Sequence, residues 1–333
     1  MAKTSLKPIG LLVLPLLFSA SLQAQTVTDP VGVVKITIAG APSVGQSKLT
    51  AISATLRGAI EHQGTATSVG SFATNSQPLN TGVTTWTAAQ WTTVPHLCYI
   101  ENAAGAEEAY LITGMDETTG VLTLSTTFDF TARYTSTPTY RICKAQTLAG
   151  IFSNLTINGS PGNFHGDDRI FLWDGSSWNS YSYDGSQWVN VLDPFTSAND
   201  TVVFPSEGIF VKRTQTANIT ITVNGSVPTT PQVSTIPGPG LTFISSNYPV
   251  GTTFSTMALQ NTNAWGGDDR MFIWNGSSWD SFLYDGSNWV NVLDPFTPVD
   301  NNPIAPDSAI FVKRNSTSTK VDSAASNPLP YTP

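Results

Sequence analysis

The passage "WDGSSWNSYSYDGSQWVNVLDPFT", beginning at Trp173, returns as "WNGSSWDSFLYDGSNWVNVLDPFT", beginning at Trp274, 101 residues later. Between Gly166–Thr196 and Gly267–Thr297, 24 of 31 positions are identical without a gap, and the same spacing relates "IFVKR" at Ile209–Arg213 to Ile310–Arg314. A segment written twice without insertion or deletion is expected to fold as one repeated unit. Inside each copy, Asp-Gly or Asn-Gly pairs separate short runs of aromatic and β-branched residues. Such pairs accept the positive φ angles of tight hairpins. Each copy is therefore predicted to form a three-stranded meander: "RIFLW", "WNSYSY" and "WVNVL" in the first, with equivalents in the second. A four-residue reading of the turns sets Trp173 opposite Trp178 and Tyr183 opposite Trp188. Further strands are predicted at "GIFVKR", "AIFVKR" and "NITITV", and helical periodicity is absent.

A weaker match runs upstream through Gly150 and Gly251 to Tyr140 and Leu241. This places copy 1 at residues 140–226 and copy 2 at 241–333. Between them, 227–240 carries four prolines and reads as an extended, stiff linker. Residues 25–139 read as a separate N-terminal β domain, barrel- or sandwich-like. It opens with "VGVVKITIAG" and continues through "HLCYIEN", "EAYLITGMD" and "GVLTLSTTF". Thr81–Val94 is expected to be a structured loop, and a short helix is expected around Ser47–Leu56. The expected fold class is all-β: this N-terminal domain followed by two homologous β-meander modules.

The opening "TDPVGVVKITIAG", the "WDGSSW…YDG" meander and the closing "GIFVKR" together resemble an uncharacterised family of exported, β-rich proteins from Verrucomicrobia and related bacteria. The resemblance spans nearly the whole chain after its leader, and this chain departs from it by carrying the second part twice. It implies export and a β-rich fold and supplies neither a reaction nor catalytic residues.

Lys3 and Lys7, the apolar run "IGLLVLPLLFSA" and the polar "SLQAQT" form the three parts of a secretory signal peptide over 1–24, with cleavage after Ala24. The run is short and interrupted by Pro15, and no later segment is apolar enough for a membrane span in the mature chain. A formal net charge of −8 leaves no basic surface for phosphates, which argues against nucleic acid and anionic membranes as partners.

Of the three histidines, His62, His96 and His165, only His165 lies within a copy, and its counterpart is Gly266. With no Ser/His/Asp arrangement or phosphate-cradling loop in the sequence, the chain reads as non-catalytic and without a cofactor. Asp167 and Asp168, recurring as Asp268 and Asp269, are weak calcium candidates set against a local salt bridge or strand cap. Asp174 becomes Asn275, which keeps turn competence and loses the charge. Alternation puts Tyr181 and Tyr183 on one face, and Trp178 on a more polar one. Trp178 and Trp279, with Trp173 and Trp274, are therefore the candidate ligand-binding residues. Cys98 and Cys143 are a candidate disulfide, or two small buried hydrophobes. The expected role is a structural component of a cell surface, envelope or extracellular matrix, with envelope or surface proteins as partners. Carbohydrate binding to a polysaccharide through the exposed aromatics is the alternative.

Overall fold

The computed structural model describes residues 30–153, 156–157, 160–161, 168–257, 259, 265–315, 320–321 and 329–331; the leader at 1–24 and Asp167 lie outside them. The chain is all-β, and its strands pair antiparallel. Copy 1 builds a six-stranded sheet in the spatial order Asp193–Ser197, Trp188–Asn190, Trp178–Tyr183, Arg169–Trp173, Gly208–Arg213, Lys48–Ser53. Copy 2 repeats that order with Asp294–Pro298, Trp289–Asn291, Trp279–Tyr284, Arg270–Trp274, Ala309–Arg314 and Gly240–Ser245. Registers also agree: Trp173 faces Trp178 and Tyr183 faces Trp188, as Trp274 faces Trp279 and Tyr284 faces Trp289. The turns owe this to Gly175, Gly185, Gly276 and Gly286, whose φ values are 97, 104, 95 and 104°. The Asp174 carboxylate accepts the Ser176 and Ser177 amides at 2.9 and 2.7 Å, and Asn275 does the same for Ser277 and Ser278 at 3.0 and 2.9 Å.

One face of each sheet closes over its own core. Ile170, Tyr181, Trp188, Ile209 and Val211 fill the first; Met271, Phe282, Trp289, Ile310 and Val312 fill the second. Trp188 and Trp289 are 1% and 0% exposed, so the meander Trp is a core residue in both copies. Ser182 and its counterpart Leu283 differ in chemistry yet are both half-buried.

Sheet membership does not follow the linear order read from the sequence, which put a boundary at 139/140. Strand Val31–Ile38 pairs with Ile219–Ser226, and Lys48–Ser53 pairs with Gly208–Arg213. The helix expected around Ser47–Leu56 is thus a strand, because the apolar "IFVKR" strand offers it a ladder that weak helical spacing does not rival. Its counterpart is Gly240–Ser245: "LTAIS" at Leu49–Ser53 answers "LTFIS" at Leu241–Ser245, 192 residues apart instead of 101. The difference is a domain inserted into copy 1. Strand Thr139–Lys144, which the weak upstream match assigned to copy 1, belongs to that insertion.

The inserted sheet runs Ile60–Thr65, Thr139–Lys144, His96–Glu101, Glu107–Asp116, Val121–Ser125, Ser76–Asn80, Ser68–Val69. Its first and last members follow one another in the chain, parted only by Ala66 and Thr67, so the sheet curls round into a barrel. Leu79, Ile100, Leu122, Leu124, Phe130 and Ile142 fill the interior at 0% exposure. Trp86 and Trp91, from the expected loop, pack among them. Cys98 lies opposite Ile142, and Leu97 opposite Cys143, so the two thiols point to opposite faces of the sheet. Cys98 joins the barrel interior and Cys143 the outer face that packs on Val202 and Phe204 of copy 1. No disulfide joins them, which corrects the candidate pairing.

The proline-rich segment is not a free spacer. It docks along the barrel, with the Glu107 amide donating to Pro231 O at 2.8 Å and the Val233 amide to Glu107 O at 2.7 Å.

Candidate functional site

The second face of each meander carries Phe171, Trp173 and Trp178, or Phe272, Trp274 and Trp279. The two faces pack on each other. The contacts are reciprocal. Trp173 Nε1 donates to Leu241 O at 2.9 Å, and Trp274 Nε1 to Leu49 O at 3.0 Å. The Ser53 amide donates to Asp307 O and the Ser245 amide to Ser206 O, each at 2.9 Å. Trp178 meets Phe311 edge-on at 5.6 Å between ring centroids, and Trp279 meets Phe210 at 5.5 Å. Equivalent residues on the two copies therefore contact one another as in an isologous dimer, here within one chain.

On the axis of that arrangement the copies must differ, because two large side chains cannot share one place. Phe243 stands where copy 1 has Ala51. It stacks between Phe210 at 5.1 Å and Phe311 at 4.5 Å. Gly208, whose counterpart is Ala309, makes the room: a Cβ there would lie 2.7 Å from both Phe243 Cδ1 and Ala309 Cβ.

Beside this stack an apolar groove of about 310 Å³ stays open, walled by Leu49, Phe171, Trp178 and Phe210 of copy 1 and Trp274, Trp279 and Phe311 of copy 2. Trp178 is 37% exposed at its edge. Of the four tryptophans singled out from sequence, Trp173 and Trp274 are committed through their indole N–H groups, while Trp178 and Trp279 line the groove. The face expected to be polar is instead the module interface, because the neighbouring strands contribute Phe171 and Phe210 to it. Sequence reading passed over Phe210, Phe243, Phe311 and Leu49; the "LTAIS"/"LTFIS" pair was the signal that could have found the last of these.

Asp168 and Asp269 form buried ion pairs. Asp168 Oδ2 lies 2.8 Å from an Arg213 guanidinium nitrogen, and Asp269 Oδ2 lies 2.8 Å from Arg314 Nε. The remaining oxygens accept the Thr214 and Asn315 amides at 2.6 and 2.8 Å. Asp268 is exposed, and its carbonyl accepts from Asn315. Among the described residues no group of three or more His, Cys, Asp or Glu side chains is placed to hold a metal ion. The sequence's weak calcium reading gives way at Asp168 and Asp269 to the salt bridge.

A second cavity of about 180 Å³ lies where barrel, copy 1 and connector meet, lined among others by Tyr99, Glu108, Glu207, Ser234 and Asn247. Burial pushes the Glu207 carboxyl up to about 7, against a single opposing hydrogen bond from the Phe204 amide at 3.1 Å. A carboxyl whose folded pKa exceeds its unfolded value stays protonated in the folded chain while the unfolded chain ionises. Stability therefore falls as pH rises from about 4.5 to about 7. Glu207→Gln is expected to remove that fall. Urea midpoints at pH 5 and pH 8 check it, and parallel profiles for the two chains would show that Glu207 is not the cause.

No family model, curated protein or solved structure matches this chain.

Proposed function

We propose that this chain is an exported, non-catalytic β-protein that serves as a structural component of a cell surface, envelope or extracellular matrix. One observation carries the reading. The aromatic repertoire that could have been displayed to a ligand is used to join two modules into a single body, with Trp173 and Trp274 each bonded to the opposite copy's backbone. The histidines within the barrel are likewise engaged, His62 with Tyr140 at 3.0 Å and His96 with Glu61 at 3.1 Å. The leader-like N-terminus and the low content of charged residues, 11%, accord with a life outside the cytoplasm.

The groove supports a second reading, polysaccharide binding through Trp178 and Trp279, since flat aromatic faces stack against sugar rings. Its chemistry is one-sided, however. Sugar sites pair such faces with a few well-placed polar groups, whereas only Leu, Phe and Trp line this one, and Trp274 has already given its N–H to Leu49 O. A glycan array and polysaccharide pull-down, with a hydrolysis screen alongside, tests both readings. The expected result is no retention and no turnover. Retention that Trp178→Phe/Trp279→Phe preserves and Trp178→Ala/Trp279→Ala abolishes, in a chain with an unchanged unfolding midpoint, would establish sugar binding. Turnover abolished by changing one polar side chain would overturn both.

A further inference from the structure

The longest unchanged run of the repeat is "WVNVLDPFT", at Trp188–Thr196 and again at Trp289–Thr297. It forms the outermost hairpin of each sheet, where Asn190 pairs with Asp193 across a turn made by Val191 and Leu192. The turn is held by Asn190 Oδ1 accepting the Leu192 amide at 2.8 Å, and by Asn291 doing the same for Leu293 at 2.8 Å. None of this needs an apolar side chain at the tip. Yet Leu192 and Phe195 are 93% and 94% exposed, and Leu293 and Phe296 are 93% and 92% exposed. Even some core positions have drifted between the copies, Ile170 to Met271 and Tyr181 to Phe282, while these exposed ones have not. Exposed apolar side chains contribute little to folding, so their retention points outside the molecule.

We propose that the chain assembles with copies of itself, the Leu192/Phe195 or Leu293/Phe296 tip of one molecule seating in the aromatic groove of the next. This rests on the scaffold reading and names its partner.

Three observations select that occupant. Pairing of the edge strands themselves is hindered, because Pro194 and Pro295 have no N–H to donate and Pro298 adds another in copy 2. An anionic lipid surface is disfavoured, because neither hairpin carries Lys or Arg and each tip carries Asp193 or Asp294. The groove, in contrast, complements the tips. It is an apolar continuation of an interface the chain already uses, about 310 Å³ in volume, which a phenylalanine side chain enters. Lys48, next in the chain to the groove-lining Leu49, sets its Nζ against Gly276 O and offers a positive charge to the incoming Asp193 or Asp294. Tip and groove are different surfaces, so each contact is head-to-tail. Docking of this kind extends, and the expected product is a ladder of species rather than a dimer.

Sedimentation of the purified full chain over a wide concentration range tests this, with Leu192→Ser/Phe195→Ser, Leu293→Ser/Phe296→Ser and the combined variant. Wild type should form a ladder that grows with concentration. Either tip alone should sustain assembly, while loss of both should weaken it at least about tenfold. The unfolding midpoint should stay unchanged, because all four side chains are exposed. A benzophenone amino acid at position 195 should crosslink to peptides containing Trp178 or Trp279 of another molecule. A chain that stays monomeric at every concentration, assembly that survives loss of both tips, or crosslinks away from the groove would each overturn the proposal. So would tip-dependent flotation with phosphatidylcholine vesicles in the absence of self-association. A monomer that is also silent on glycans and substrates would sink this inference and leave the scaffold reading standing.

Discussion

Glu107→Ala is expected to lower the unfolding free energy by about 3–5 kcal/mol, the usual effect of stranding a buried charge. Glu107 is 2% exposed, and one oxygen takes the Arg57 guanidinium at 2.7 Å while the other takes Arg141 at 2.5 Å. Thr230 Oγ1 and Gln232 Nε2 also donate to it, at 2.6 and 3.3 Å. These partners come from different parts of the chain. Arg141 belongs to the barrel, Arg57 lies at the crossing from copy 1 into the barrel, and Thr230 and Gln232 belong to the proline-rich connector. Removing the carboxylate takes the Glu107 counter-charge away from Arg57, which is 1% exposed. The barrel should also uncouple from the modules, so that one cooperative transition separates into two. Denaturant unfolding followed by tryptophan fluorescence and by circular dichroism reads both effects. Glu107→Gln, which keeps the shape and part of the hydrogen bonding, should lose less. A change below about 1 kcal/mol for Glu107→Ala would mean that the junction is solvated and the carboxylate is not its staple.

The second large effect is expected at the repeated ion pair. Asp168 and Arg213 are both 0% exposed, and Asp168 also accepts the Thr214 amide and hydroxyl at 2.6 and 2.8 Å. Asp168→Ala should therefore cost about 3–5 kcal/mol, and Asp269→Ala a similar amount in copy 2. The two sites lie in separate sheets, so the double variant should approach the sum of the singles. Calcium and a chelator provide the control. If the carboxylates act through arginine, neither addition moves the thermal midpoint of the wild type. A calcium-dependent rise that vanishes in Asp168→Ala would assign the site to the metal instead.

Much of each module was legible in the sequence for a local reason. Asp-Gly and Asn-Gly turns fix a hairpin's register within a few residues, and alternation then assigns Tyr181 and Phe282 to one face and Trp178 and Trp279 to the other. The cross-strand pairs of Trp173 with Trp178 and Tyr183 with Trp188 follow from the same spacing. The candidate site was half legible. Trp178 and Trp279 do line a groove, but whether an outward face meets water or another sheet is not written in the strand that bears it.

What the sequence by itself determined is what short-range chemistry controls: an all-β chain, two equivalent meanders, their turns and their strand faces. Tertiary structure alone decided which strands complete each sheet and which aromatic face is covered. Leu49–Ser53 joins a strand more than 150 residues away because an edge strand pairs with whatever ladder remains open, however much chain intervenes. Loop-closure entropy grows only slowly with length, so a whole barrel could be inserted between that strand and the rest of its module. A repeat search at one fixed spacing does not detect the displaced strand. The pseudo-twofold contact of the two modules is likewise a property of assembled surfaces, visible only once Phe210, Phe243 and Phe311 from three separate strands are brought to one stack.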